Sequence, residues 1–377
     1  MRRFDGQNQR FRIGFIIDGR FPDLQGAANR ECGILSFFQG CPSDSPTGFM
    51  RFGWIADKVN QSHEDLHYEL FRPFRRYDAV VFLKSMGESC LALAKRLRKQ
   101  GVKIVFDANV DYITPAKGTF YYEGMAPTET QRRDMLDMLD MADFIIGDSE
   151  HIASRCRAIH PRVCWIPDNV RIDMVPCHQE KRARSKRTLL WSGISFKSFE
   201  LLLIAPILKA NAKYLHLILV VDDWSGIDRC FEPYRSQLKE LLSGIDHEII
   251  PFKSIEQLLS VYTEGDVFIS PRFLDNTYNL GHTEWKITLP MACERFVLAS
   301  PQPSYLTVYE RSNGKGLRIC RTLDDWSREI EAVLRNHIDL GEEGKWGRRM
   351  VETHYSTEGI ARQHANLMKQ LLQGQVQ

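Results

Sequence analysis

DVFISPRFLDNTYNLGHTEWKITLPMACERFVLAS, residues Asp266 to Ser300, sets a buried strand, a polar loop, a helix start and a second buried strand in direct succession. Val267-Phe268-Ile269 and Phe296-Val297-Leu298-Ala299 are short apolar runs of the kind that fill a parallel sheet covered on both faces. Between them Asn276, Tyr278, Asn279, Gly281, His282, Thr283, Glu284 and Lys286 gather hydrogen-bonding groups and a cation around a predicted helix N-terminus, whose free N–H groups and dipole favour an anion. The order of elements predicts the ligand-binding edge of a doubly wound α/β sheet, with room for a phosphate.

Outward from this stretch, strand and helix alternate throughout. Arg12–Ile17, Tyr68–Phe71, Ala79–Leu83, Val102–Phe106, Phe144–Gly147 and Val163–Ile166 read as strands. Gly26–Phe38, Glu88–Lys99, Thr128–Met141 and Glu150–Ala158 read as the helices between them. After a basic, aperiodic segment from His178 to Arg187 the pattern restarts, with strands at Thr188–Trp191, Leu215–Val221 and Glu248–Pro251 and helices through Leu201–Ile207, Tyr234–Leu242 and Ile255–Tyr262. Such alternation implies parallel βαβ units with right-handed crossovers. The expected division is a first Rossmann-like domain over 1–172, a linker over 173–187, a second over 188–355, and a terminal helix over 356–377 opened by the N-cap Ser356.

A chain of 377 residues is long enough for two cores, and its net charge of +2 is too small for a general nucleic-acid binder. Nine cysteines at irregular spacings, with no CxxC pair and no Cys/His set at zinc spacing, predict reduced thiols and no metal site. No apolar run approaches the ~20 residues of a membrane span. A cytoplasmic location is expected, with a peripheral contact at the inner membrane face offered by the basic clusters Arg72-Arg75-Arg76, Lys95-Arg96-Arg98-Lys99 and Lys181–Arg187. The same clusters read equally as solvated surface.

Lys286-x-x-x-x-Met291-Ala292, followed by a strand ending Ala299-Ser300, resembles the C-terminal signature of retaining nucleotide-sugar glycosyltransferases of family 4, which have the two-Rossmann-domain GT-B fold. That fold implies two domains facing across a cleft, with a final helix crossing back to the first. Leu289 stands where the family places a ribose-binding glutamate, Glu294 where it has a glycine and Phe296 where it has a proline. Trp191-Ser-Gly-Ile-Ser-Phe-Lys197 is similar to the family's strand-glycine-x-x-x-lysine element, which implies a donor diphosphate bound by Lys197 beside Gly193. Ile194 replaces an arginine common there, and Arg272 or Lys286 is expected to supply the missing cation. Asn276, Asn279, Gly281, His282 and Glu284 fall where the family loop meets the sugar and phosphates, with Glu284 a stand-in for the ribose carboxylate.

In the first half, Gly26 sits in a strand-to-helix loop where backbone N–H groups would approach a diphosphate, or where it simply shapes a turn. Asp107, Asn109 and Asp111 alternate along a strand end at the carboxyl edge of the sheet, as acceptor- or sugar-site residues, as caps, or as cation ligands. The expected activity is transfer of a sugar from a UDP- or GDP-sugar to a glycan or lipid-linked hydroxyl in surface polysaccharide or glycoconjugate synthesis, with Asp107, Asp111, Lys197 and Lys286 as catalytic candidates, no further cofactor and no nucleic-acid partner. Two alternatives share the architecture: a sugar-nucleotide 2-epimerase, and a non-catalytic homologue that only binds.

Overall fold

The computed structural model describes residues 10–22, 35–43, 45–176 and 185–375. The chain folds into two compact units, the first from Met1–Thr114, Thr128–Asn169 and Thr357–Gln377, the second from Pro115–Pro127 and Val170–Ser356. The lower boundary thus falls at Asn169 instead of residue 172, and one internal segment changes sides.

The first unit holds a parallel sheet of β1 Phe11–Ile17, β2 Leu66–Leu70, β3 Ala79–Leu83, β4 Lys103–Ala108, β5 Phe144–Gly147 and β6 Val163–Trp165, in the order β2-β1-β3-β4-β5-β6. All five residues of β3 are buried, as expected for a strand covered on both faces. The link from β2 to β3 passes over β1 without a helix, and the ring of Tyr77 lies on Gly14, where a Cβ would stand 2.9 Å from Tyr77 Cε1. Ile360, Ala361, Ala365 and Met368 of the terminal helix Thr357–Leu372 join Ile13, Phe15 and Val81 in the core of this unit.

The second unit holds β7 Arg187–Gly193, β8 Leu215–Val221, β9 His247–Pro251, β10 Val267–Ser270, β11 Phe296–Ala299 and β12 Leu317–Ile319, all parallel, in the order β12-β11-β10-β7-β8-β9. This is the Rossmann order, with its topological switch between β7 and β10, where such sheets bind ligands beyond the strand ends. Leu289 belongs to the core here, packed in one cluster with Tyr305 and Val351.

Pro115–Pro127 is an aromatic strap built into the second unit. Tyr121 stacks on Phe199 and Phe273 at 4.9 and 4.8 Å, and its hydroxyl donates to Asp275. Gly118 bridges Asn276 at φ +106°, so close that a Cβ would lie 1.9 Å from the Asp275 carbonyl oxygen.

The expected strands all appear within two residues of their ends, while β12 and the helices Trp54–Ser62, Pro303–Arg311, Leu323–Leu334 and Leu340–His354 were not anticipated. Of the helix expected over Gly26–Phe38, the described part is one turn, Ser36–Gln39, and Gly26 lies outside the described residues. Among the described residues six cysteines are free thiols, but Cys41 is disulfide-bonded, which corrects the expectation of reduced thiols, since irregular spacing does not exclude a disulfide. Among the described residues no helix is long and apolar enough to cross a membrane.

Gly118→Ala is expected to destabilise the second unit by about 2 kcal/mol or more, because the added methyl meets backbone in a left-handed conformation. An unchanged urea transition would show that the strap does not dock as described.

Candidate functional site

At the switch point of the second unit two strand ends supply the polar groups. β7 ends at Gly193, and a turn closed by Lys197 N–H donating to the Ile194 carbonyl at 2.9 Å leads into a 3₁₀ helix, Ser195–Ile204. Side chains three apart eclipse on such a helix, so Lys197 and Glu200 rise on one face. β10 ends at Ser270; Arg272 follows, its backbone N–H donating to Ser300 Oγ at 2.8 Å. Asn276 then caps the turn Thr277–Leu280 by accepting from Asn279 N–H at 2.9 Å.

These elements converge on Glu200, which sequence reasoning missed. Its Oε1 pairs with Arg272 Nη1 at 3.1 Å and accepts from Asn279 Nδ2 at 3.4 Å, while its Oε2 stands 4.0 Å from Lys286 Nζ. Lys286 Nζ also lies 4.2 Å above the Trp191 ring, a cation–π contact. Gly193 makes room for it, since a Cβ there would sit 3.0 Å from the ring and 3.5 Å from the ammonium. Lys197 Nζ is 3.1 Å from His282 Nε2 and 5.1 Å from the centre of the Tyr278 ring. Tyr122, from the strap, faces Tyr278 edge-on at 6.4 Å.

Arg272 and Lys286 therefore face one buried carboxylate, and Lys197 stands near enough to feel its charge. Burial pushes the Lys286 ammonium well below its ordinary pKa, and Arg272 and Lys197 push it further. Burial lowers Lys197 too, while Lys197 in turn holds the Tyr278 phenol below its usual range. At Arg272 burial opposes the charge, but Glu200 and Tyr305 together outweigh it and the guanidinium stays protonated. Buried cations lose the solvation of water and regain it from a counter-ion, so this arrangement suits a multiply charged anion such as a diphosphate.

Of the remaining expected residues, Gly281 ends the turn Thr277–Leu280 and His282 follows it. The carbonyl of His282 accepts from Gln302 Nε2 at 2.7 Å and Ser304 Oγ at 2.8 Å, fixing the loop. Glu284 opens the helix Trp285–Ala292, closed to solvent, and its carboxylate helps to raise the pKa of Tyr355, behind burial as the larger cause. Ile194, in the place of the family arginine, is exposed and carries no charge.

In the first unit the two carboxylates have different surroundings. Asp107, at the end of β4, is buried and held by Arg51, whose Nε and Nη2 donate to it at 3.1 Å, while Arg51 Nη1 donates to Asp168 at 3.0 Å. Burial pushes the Asp107 carboxyl up to about 6 against the pull of Arg51, which leaves it ionised at neutral pH. Asp111 accepts from Thr114 N–H and Oγ1 at 3.0 and 2.7 Å and lies 3.6 Å from His151 Nε2. Burial opposes its charge, but the bonds from His151 and Thr114 hold its pKa below the ordinary carboxylate value. Asn109 donates to Asp148 at 3.1 Å.

The switch point of this sheet lies between β1 and β3, and both strands end there in left-handed residues with side chains, Asp18 at φ 51° and Lys84 at φ 48°. Such conformations cost of order 1 kcal/mol or more and gather at functional sites. The Asp18 carboxylate accepts from Ser43 and Ser45 hydroxyls at 2.6 and 2.7 Å and faces Lys84 at 3.7 Å. No sequence signal singled out this group beyond the loop that Asp18 opens. Among the described residues no cluster of His, Cys, Asp and Glu is arranged to hold a metal ion.

No protein-family model and no curated protein matches the chain. Solved structures do. A sucrose-phosphate synthase from Thermosynechococcus elongatus superposes with a TM-score of 0.67 at 15% identity, over 97% of this chain and 100% of that one. A glycosyltransferase from Rickettsia africae gives 0.62 at 12% identity over 97% and 99%. HepE of Anabaena, solved with UDP and glucose, gives 0.63 at 11% identity over 96% and 100%. At these identities the likeness is one of architecture: the chain has the GT-B fold, two Rossmann-like domains.

Glu200→Ala should destabilise the second unit by about 3–5 kcal/mol, since Arg272 and Lys286 would be left buried without their counter-charge. Inorganic pyrophosphate should recover part of that loss in the same denaturation experiment; an unaltered transition midpoint would mean that Glu200 does not balance these cations.

Proposed function

We propose that the protein is a glycosyltransferase that takes a sugar from a nucleoside-diphosphate donor, a UDP- or GDP-sugar, to a hydroxyl of a glycan or lipid-linked acceptor. One observation carries this reading: the buried Arg272 and the partly buried Lys197 and Lys286 gather at a single buried carboxylate at the switch point of a Rossmann sheet, in a fold common to sugar-transferring enzymes. Lys197 and Lys286 are assigned to the diphosphate, with Arg272 and the polar groups Asn276, Asn279 and His282 around them and Gly193 and Gly281 shaping the loops. Glu284 is our candidate for the ribose hydroxyls in the place of the buried Leu289.

In the reaction the bond between the anomeric carbon and the diphosphate oxygen breaks, and the electron pair leaves with the diphosphate. Negative charge then builds on oxygens that preorganised cations stabilise before any water has to reorganise. The acceptor oxygen forms the new bond to the anomeric carbon and its proton passes to the departing phosphate, giving retention without a dedicated base. The first unit is the proposed acceptor side, with Asp111, His151 and the Asp18–Lys84 pair at the carboxyl edge of its sheet. Asp107, sequestered by Arg51, is proposed to hold that edge in shape. A peripheral contact with the inner face of a membrane belongs to the same reading, since it would present a lipid-linked acceptor.

Turnover of a UDP- and GDP-sugar panel, with and without glycan acceptors, tests the assignment. Free nucleoside diphosphate should appear with the correct donor and rise on adding an acceptor, and Lys197→Ala should lower the rate at least about tenfold, or ~1.4 kcal/mol of transition-state stabilisation. Binding of a donor without turnover on any acceptor would assign the chain to the non-catalytic homologues, and turnover to an isomeric sugar nucleotide would assign it to the epimerases.

A further inference from the structure

The stretch Phe71-Arg72-Pro73-Phe74-Arg75-Arg76-Tyr77-Asp78 carries the chain from β2 back across β1 to the start of β3. It is anchored from beneath. The Tyr77 ring packs on Gly14, its hydroxyl accepts from Arg72 N–H at 2.9 Å, and Asp78 accepts from Arg12 N–H at 2.9 Å. With both ends fixed, the middle of the stretch turns outward. Phe74 is 67% exposed, and Arg75 and Arg76 beside it are exposed as well.

Arg10, Arg12, Arg75 and Arg76 line an open hollow of about 710 Å³ with Phe74, Tyr77 and Asp78. Among the described residues two carboxylates answer the arginines there. Glu69 draws Arg72, Arg12 and Arg75 to 3.0, 3.4 and 3.7 Å, and Asp78 is occupied by backbone, while Arg76 pairs with no carboxylate among the described residues. His67 adds no charge at neutral pH, because burial and the nearby Arg10, Arg12 and Arg75 push its imidazole down. Among the described residues five arginines against two carboxylates leave an excess of positive charge in one place.

Apolar groups surround that charge. The Phe37 ring lies 6.1 Å from Phe74, and the same turn presents Leu35 and Phe38, 69% and 67% exposed. Exposed aromatic and aliphatic tips ringed by arginines are the makeup of a surface that enters the headgroup layer, the rings reaching the acyl boundary and the guanidinia taking phosphates. The helix Glu88–Lys99 is different: it carries exposed Lys95, Arg96, Arg98 and Lys99, but its Leu93 and Leu97 are buried, which makes it ordinary solvated surface.

We propose that this face, running from the start of β1 along the β2–β3 link to Phe74 and the turn Ser36–Gln39, docks on an anionic phospholipid bilayer, with Arg10, Arg12, Arg75 and Arg76 taking headgroup phosphates in the hollow and Phe74, Phe38 and Leu35 entering the interface. The inference gives residues to the membrane contact of the proposed function, and vesicle binding tests it apart from nucleotide binding.

The test is co-sedimentation of the full chain with vesicles of phosphatidylcholine alone and of phosphatidylcholine mixed with phosphatidylglycerol. Binding is expected only to the anionic vesicles and should weaken with salt. The double variant Arg75→Ala/Arg76→Ala should lose about fivefold per arginine, and Phe74→Ala about tenfold, with thermal stability and UDP affinity unchanged because these side chains are exposed. Equal binding to both vesicles, absence of binding, indifference to the variants, or capture of single-stranded RNA in preference to vesicles would each overturn the proposal.

Discussion

Everything at the switch point of the second unit depends on the Glu200 carboxylate and the cations around it. A lone carboxylate and a guanidinium at 3.1 Å, both buried, form a neutral pair that a protein interior tolerates. Adding Lys286 at 4.0 Å and Lys197 one turn away breaks that neutrality, and the depressed lysines record the cost. The surrounding scaffold serves to keep the lysines in place despite it: Trp191 offers its ring face, Gly193 withholds a side chain, and His282 and Tyr278 flank Lys197. An anion with two or more charges would remove the imbalance, which is the basis for proposing a diphosphate there in place of a purely structural ion pair.

The first unit shows the contrasting case. Arg51 meets Asp107 and Asp168 together, so its cluster has no surplus cation, and its hydrogen bonds run from β4 to the segment after β6. Nothing there calls for an anionic ligand. Conformational strain sits instead at Asp18 and Lys84, with the buried Asp111 and its partner His151 along the same edge where the strands end. The same architecture thus gathers a surplus of basic groups at the switch point of one unit and carboxylates with hydroxyl partners along the edge of the other.

Much of this was legible in the sequence, for reasons of range. Runs such as Ala79–Leu83 and Leu215–Val221 are buried on both faces and announce themselves through continuous apolar character. Lys197 and Lys286 were legible through resemblance to the family's strand-glycine-x-x-x-lysine and K-x-x-x-x-M-A elements, and the structure brings the two near one carboxylate. Glu200 was not, since in Phe-Glu-Leu-Leu-Leu it reads as one acid at the start of an apolar segment and its partner Arg272 is 72 residues away. The strap escaped for the same reason: Tyr121 and Tyr122 look like loop aromatics until Phe199 and Phe273 close on them. Leu289 gave the opposite lesson, for a position that invites a binding residue by family resemblance turns into the core here.

The most direct test of the account is calorimetric titration of the protein with UDP and with GDP at mildly alkaline pH, in buffers of different ionisation enthalpy. Lys286 and Lys197 have pKa values lowered by burial, and a bound diphosphate raises them again, so the lysines must take protons from the buffer as the nucleotide binds. The account predicts that the binding heat changes from buffer to buffer with the sign of net proton uptake, and that this dependence shrinks as the pH is lowered below the depressed lysine values. Nucleotide binding with the same heat in every buffer, or no binding of either nucleotide at millimolar concentration, would contradict it.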